Sequence, residues 1–130
     1  MSGYISKSKG DNWGTPKNIM DNYEDYFDPC PYNYKEDGLI IDWKEYNFVN
    51  PPFSKLKEFS KKINEEAKKN KKIVLLIPAR TDTKYFHNYL LPLNPKIEFI
   101  KGRLKYIDLD NTSKKALAAP FPSLLLHINF

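Results

Sequence analysis

The chain has 130 residues, enough for one domain with a real core and small for an enzyme, and its 41% hydrophobic and 28% charged composition excludes disorder throughout. Its 21 basic and 16 acidic residues leave a formal charge of +5, which suits an anionic partner such as nucleic acid and equally a lysine-rich soluble surface. The one cysteine, Cys30, excludes an internal disulfide and a four-cysteine zinc site and fits a reducing cytosol; the N-terminus lacks a hydrophobic signal core, and the longest apolar run, 73–79, is too short to span a bilayer.

Residues 1–12 are polar, with Gly3, Gly10 and several Ser and Lys, and are expected to form a flexible segment ahead of a single domain, 13–130. Thr15 and Pro16 read as N-cap and first position of a helix. Ile19, Met20, Tyr23, Tyr26 and Phe27 follow at helical spacing as its buried face. Residues 27–30 are a strand end broken by Pro29, and 31–38 a loop through Asp37-Gly38. Residues 39–41 read as a strand ending at Asp42-Trp43, and 46–49 as the next strand. Ser54 then caps a helix whose stripe is Leu56, Phe59, Ile63 and Ala67. Lys68, Lys69, Lys71 and Lys72 crowd its end, where cations complement the helix dipole.

The continuous apolar run 73–77 suits the centre of a parallel sheet, closed by Pro78. Thr81 or Asp82 caps a helix to about residue 91, with Tyr85, Phe86, Tyr89 and Leu90 clustered on it. Residues 97–100 form a strand, Gly102-Arg103 turns it, and 104–107 continues extended. Residues 108–123 read as a long loop, and 123–130 as a final strand. Strands alternating with helices predict an α/β fold with a mostly parallel sheet.

Between the strand at 46–49 and the helix after Ser54 stand Asn50, Pro51, Pro52 and Phe53. Two prolines fix φ at about −65° and remove two N–H donors. Each also pushes the residue before it into an extended conformation. Asn50 is therefore expected to be rigid at a strand end. Its carboxamide, its carbonyl and that of Pro51 then face outward, with the Phe53 ring beside them. Two acceptors in a plane with a stack above would hold a planar amino group; the same residues also suit a plain turn with a buried Phe. Doubly wound sheets bind ligands outside the carboxyl ends of their strands. On this reading Asp28, Asp42, Asn50 and the segment after Pro78 share one edge.

Six segments add a resemblance: Trp13-Gly14-Thr15-Pro16, Phe27-Asp28-Pro29-Cys30, Asp42-Trp43, Phe48-Val49-Asn50-Pro51-Pro52-Phe53, Leu75-Leu76-Ile77-Pro78-Ala79-Arg80-Thr81-Asp82-Thr83 and Ile100-Lys101-Gly102-Arg103-Leu104-Lys105-Tyr106. In this order they resemble the phage-type DNA N-6-adenine methyltransferases, from about residue 13 to the end. The Asn-Pro-Pro-Phe stretch looks like motif IV of the S-adenosylmethionine-dependent amino-methyltransferases. The resemblance implies a minimal Rossmann-like methyltransferase domain, its mostly parallel sheet covered by helices on both faces. It implies methyl transfer from S-adenosylmethionine to the exocyclic amine of a flipped DNA adenine.

Carried over residue by residue, the resemblance makes Asn50, Pro51, Pro52 and Phe53 catalytic. Cofactor binding falls to Thr15 and Pro16 at the methionine end, to Asp28, and to Asp42 and Trp43 at the cofactor adenine. A strand-end cap and a core tryptophan remain the structural reading of Asp42 and Trp43. Pro29-Cys30-Pro31-Tyr32 replaces the glycine-rich turn usual after the first strand of such enzymes, and Asp37 is the one candidate for the ribose. DNA contacts are expected at Arg80, Lys101, Lys105 and above all Arg103, beside a glycine that allows close backbone approach; a surface salt bridge is the other reading of Arg103.

No metal and no membrane are expected. His87 and His127 are isolated in the chain, and Cys30 lacks the His–Asp pattern of a nucleophile. The resemblance further implies a cytoplasmic setting in a bacterial host, a phage or prophage origin, a place in restriction-modification, and, with no separate target-recognition domain, a short or loose sequence preference. Two rivals stand beside this reading: methylation of an RNA base or a protein glutamine, and a cofactor-deficient homologue, motivated by the missing glycine turn, that only binds nucleic acid.

Overall fold

The strands and helices of the computed structural model are β1 (Trp13–Gly14), α1 (Lys17–Met20), β2 (Tyr46–Val49), α2 (Leu56–Ala67), β3 (Lys72–Pro78), β4 (Lys96–Phe99), β5 (Lys105–Asp108), β6 (Ala116–Ala118) and β7 (Ser123–Ile128). The structure describes residues 13–31, 37–108 and 116–130; the expected flexible segment 1–12 lies outside them. Periodicity places α2 and β3 well. Leu56, Phe59, Ile63 and Ala67 recur every three or four residues, and all four are buried. A 3-10 turn, Phe53–Lys55, leads into α2, whose N-cap position is held by Lys55 without a side-chain cap bond. In β3 every residue from Ile73 to Pro78 is buried, as a central strand requires.

The main sheet runs β2-β3-β7-β4. Outside β2, Phe27 forms a parallel bridge with Asn47, its N–H donating to the Tyr46 carbonyl at 2.9 Å and its carbonyl accepting from Phe48 N–H at 2.8 Å. β2 and β3 are parallel, while β7 is antiparallel to both β3 and β4. The expectation of a mostly parallel sheet is therefore corrected: the last strand inserts between β3 and β4 and reverses two of the three ladders. β2, β3 and β4 still run in one direction, so their carboxyl ends share an edge.

The two faces differ. On one, α2 and the π-helical turn Phe86–Leu90 bury Trp43, Val49, Leu75, Ile77, Leu124 and Leu126. On the other, Phe48, Val74, Leu76 and Leu125 meet Ile19 of α1 together with Leu104 and Tyr106. α1 has only four residues; a small antiparallel sheet, β1-β5-β6, supplies the remaining cover. Helices on both faces are thus corrected to helices on one face and chiefly a second sheet on the other. The predicted helix after Thr15 ends at Met20, although Tyr23 still stacks on Phe48, with centroids 4.9 Å apart. The predicted loop 108–123 contains β6, and its residues 109–115 lie outside the described ones.

Residues 39–41 are not a strand. The Asp37 carboxylate accepts Leu39 N–H at 2.9 Å, and its carbonyl accepts the N–H groups of Ile40 and Ile41. A turn has taken the donors that a ladder would have needed. Gly38 is required here, because a Cβ would collide with the Pro29 carbonyl oxygen. The Gly38 carbonyl also accepts the Trp43 indole N–H at 2.7 Å.

At the amino ends of β2 and β3 lies a charged cluster around Glu66, whose side chain is fully buried. Its oxygens meet Lys71 Nζ at 2.7 Å, Lys69 Nζ at 2.9 Å and Lys62 Nζ at 3.4 Å, and Oε1 accepts Trp43 N–H at 2.8 Å. Burial alone would raise this carboxyl, but the bonds from Lys71, Lys69 and Trp43 and the charge of Lys62 hold it down at about 2.

Candidate active site

The carboxyl edge of the main sheet gathers segments distant in sequence. Asn50 follows β2 and is buried. Its amide Nδ2 donates to Thr15 Oγ1 at 3.1 Å. Its backbone carbonyl accepts the Cys30 thiol at 3.3 Å. Thr15 is not a helix cap; Pro16 stands at that position, and the Thr15 hydroxyl reaches the turn instead. Thr15 is placed there by β1, whose Gly14 pairs with Ile107 of β5.

Pro51 and Pro52 are buried, and Phe53 is half-buried. The Phe53 ring makes edge contacts with Phe121, centroids 5.2 Å apart, and with Tyr106 at 6.2 Å. Tyr106 is held by a hydrogen bond of 3.1 Å between its hydroxyl and Ser123 Oγ, both groups buried. The guanidinium of Arg80, exposed just past β3, lies 5.8 Å from the Phe121 ring centre. Basic and aromatic groups thus meet beside the turn.

Asp28 follows the Phe27 bridge, and its Oδ1 accepts Cys30 N–H at 2.9 Å. Burial pushes this carboxyl above its ordinary range, and the bond from Cys30 only partly offsets that. Burial likewise drives the Cys30 thiol far up, so it is an inert donor rather than a nucleophile.

Of the expected site residues, Thr15, Pro16, Asp28, Asn50, Pro51, Pro52, Phe53 and Arg80 come together at this edge. Lys101 and Arg103 are exposed just beyond the carboxyl end of β4, on either side of Gly102 at φ 77°, and Lys105 is exposed on β5. Asp42 and Trp43 are not brought there. They precede β2 at the opposite edge, because the strand that would have carried Asp42 forward is a turn. Asp42 is exposed and pairs with Lys69 at 3.0 Å, and Trp43 belongs to the core.

Sequence reasoning missed the part Cys30 plays in holding the Asn50 carbonyl, and the rings of Tyr106 and Phe121. Nothing local marks Cys30. For the two rings, the signal was aromatic residues at and after a segment already matched to the family. His87 donates from Nε2 to the Thr81 carbonyl and His127 pairs with Glu98 at 3.1 Å; among the described residues no group of three or more His, Cys, Asp or Glu could hold a metal. Among the described residues, too, no helix is long and apolar enough to cross a membrane.

Chemically, the edge offers an anchored carboxamide, an aromatic ring, a half-buried carboxylate and exposed cations within one group of strand ends. A family model, DNA N-6-adenine-methyltransferase (Dam), matches residues 3–129. No curated protein sequence matches the chain.

Proposed function

Because the chain belongs to the DNA N-6-adenine-methyltransferase family, and is thus an enzyme that methylates adenine N6 in DNA, we propose that its reaction takes place at the turn Asn50-Pro51-Pro52-Phe53. The observation that carries this reading is the double anchoring of Asn50, by Thr15 at its amide and by Cys30 at its backbone carbonyl. An exocyclic aromatic amine is a poor nucleophile, since its lone pair is delocalised into the ring. The side-chain oxygen of Asn50 and the Pro51 carbonyl accept its two hydrogens and draw the nitrogen toward tetrahedral geometry. The same preorganised dipoles meet the positive charge that develops there. Holding the amine in place supplies much of the remaining acceleration.

The family implies S-adenosylmethionine as methyl donor; when bound, it supplies an electrophilic methyl group. The residues at this edge fit its charged methionine end, with the half-buried Asp28 carboxylate suited to an ammonium and the Thr15 hydroxyl, beside Pro16, to a carboxylate. Asp42 and Trp43 are left out of the site. The target adenine must leave the duplex stack to reach Asn50, and stacking on Phe53 would stabilise the flipped base by about 1–3 kcal/mol. Arg80, Lys101, Arg103 and Lys105 would contact DNA phosphates, and the family match favours DNA over an RNA base or a protein glutamine.

The test is to offer plasmid DNA, RNA and protein in parallel with labelled S-adenosylmethionine, and then to sequence the plasmid for modified adenines. Label in DNA, at adenine N6, is expected. Label in RNA or protein alone, or DNA binding with no methyl transfer, would contradict the reading.

A further inference from the structure

The distance from Thr15 to Asn50 links two parts of the site that the proposed reaction treats separately. We infer that Thr15 is the positioning residue for Asn50: its hydroxyl holds the amide nitrogen, so that the amide oxygen is presented to the target amine. The inference rests on the reading of Asn50 as the residue that receives the amine.

Three features carry it. Asn50 is buried, and its Nδ2 donates to Thr15 Oγ1 at 3.1 Å across 35 positions of sequence. A carboxamide rotated by half a turn would present two donors where the reaction needs an acceptor, and the prolines that stiffen the backbone do not decide that rotation. The Thr15 hydroxyl does once its own hydrogen is donated elsewhere, because its oxygen can then only accept, and of the two ends of the carboxamide only the nitrogen can donate to it. Thr15 in turn is not on the main sheet. It follows β1, which is hydrogen-bonded to β5, and β5 carries the Tyr106 that touches Phe53. The small sheet thus braces both working residues of a turn that the main sheet supplies.

A hydroxyl accepts and donates at once. Thr15 can therefore hold Asn50 while donating its own hydrogen to an anionic group of a ligand, which ties ligand binding to the orientation of Asn50. The two parts are separated by measuring cofactor affinity and, independently, single-turnover methyl transfer at saturating DNA and S-adenosylmethionine.

The variants are Thr15→Val, which keeps the shape and loses the hydroxyl, Thr15→Ser, Asn50→Ala and the double variant Thr15→Val/Asn50→Ala. Thr15→Val is expected to slow the saturated single-turnover rate about tenfold, the size of one lost hydrogen bond. Thr15→Ser should stay within about threefold of wild type, because its hydroxyl remains. In the Asn50→Ala background, Thr15→Val should add less than about twofold, since two residues acting through one contact are not additive. A wild-type rate for Thr15→Val at saturation, or an equal slowing with and without Asn50, overturns the inference while leaving Asn50 catalytic. A wild-type rate for Asn50→Ala overturns the reading of the site and this inference with it. If Thr15→Val melts early, Thr15→Ser is compared with Thr15→Ala; a fast Ser and a slow Ala support the inference, and equal rates overturn it.

Discussion

Each end of the main sheet draws a carboxylate out of solvent, Glu66 fully and Asp28 in part, and treats it in the opposite way. At the amino end, Glu66 is surrounded by Lys62, Lys69, Lys71 and the Trp43 amide, and its carboxyl is held down at about 2. At the carboxyl end, burial dominates at Asp28, and its carboxyl is raised. The first arrangement completes a charge within the fold; the second leaves a carboxylate whose ionisation a cationic ligand would favour. The contrast separates stability from function: the amino end should matter for melting, the carboxyl end for binding and turnover.

The largest effect on stability is expected from Glu66→Ala. It leaves the nearly buried Lys62 without its partner, and removing one member of a buried pair costs about 3–5 kcal/mol. Melting temperature should fall steeply, while the fraction still folded keeps its cofactor affinity. The same group sets a pH dependence. Its folded pKa of about 2 lies below the ordinary 4.5, so its contribution is present above about 4.5 and is lost as pH falls toward 2. A melting curve series over that range should show the loss in wild type and a flatter profile in Glu66→Gln. A variant with unchanged melting would show that the cluster does not support the fold.

Asp28→Asn should behave in the opposite sense. A raised folded pKa means that ionisation opposes folding above the ordinary value of 3.8, so at neutral pH the Asn variant should melt no lower than wild type. Its oxygen still accepts Cys30 N–H. S-adenosylmethionine affinity by calorimetry should nevertheless fall about tenfold, as for loss of a charge-assisted contact. Lower melting with intact affinity would reverse the assignment of the two ends.

How far this contrast was legible in the sequence depends on the range of the interactions. α2 and β3 follow from apolar spacing alone, and the Asn-Pro-Pro-Phe turn from proline stereochemistry. The segment 39–41 was misread because a local competitor, the Asp37 side chain with Gly38, outweighed a short apolar run, and the placing of Asp42 failed with it. The insertion of β7 between β3 and β4 is a long-range pairing that no local pattern encodes. The same holds for Thr15 on Asn50 and for Cys30 on its carbonyl. Glu66 did carry a signal: it is an acidic residue beside Ile63 and Ala67 in the apolar stripe of α2, followed by lysines.

A smaller effect is expected at the DNA-facing rim. Arg103 is exposed beyond β4, so Arg103→Ala should leave melting unchanged and weaken DNA binding a few-fold, with the salt dependence shallower by about one charge. Binding titrations at several salt concentrations measure both. An affinity insensitive to salt in wild type would remove the electrostatic account of this rim.

The central claim is that Asn50 acts by accepting a hydrogen from the target amine, and single-turnover methyl transfer at saturating DNA and cofactor tests it most directly. Asn50→Ala should lose about 10²–10³ in rate, the usual cost of removing a preorganised transition-state dipole. Asn50→Asp, which retains an acceptor, should stay above Ala, and melting temperature and cofactor affinity should barely move in either variant. If Asn50→Ala turns over like wild type, the turn is a structural corner and the reaction takes place elsewhere.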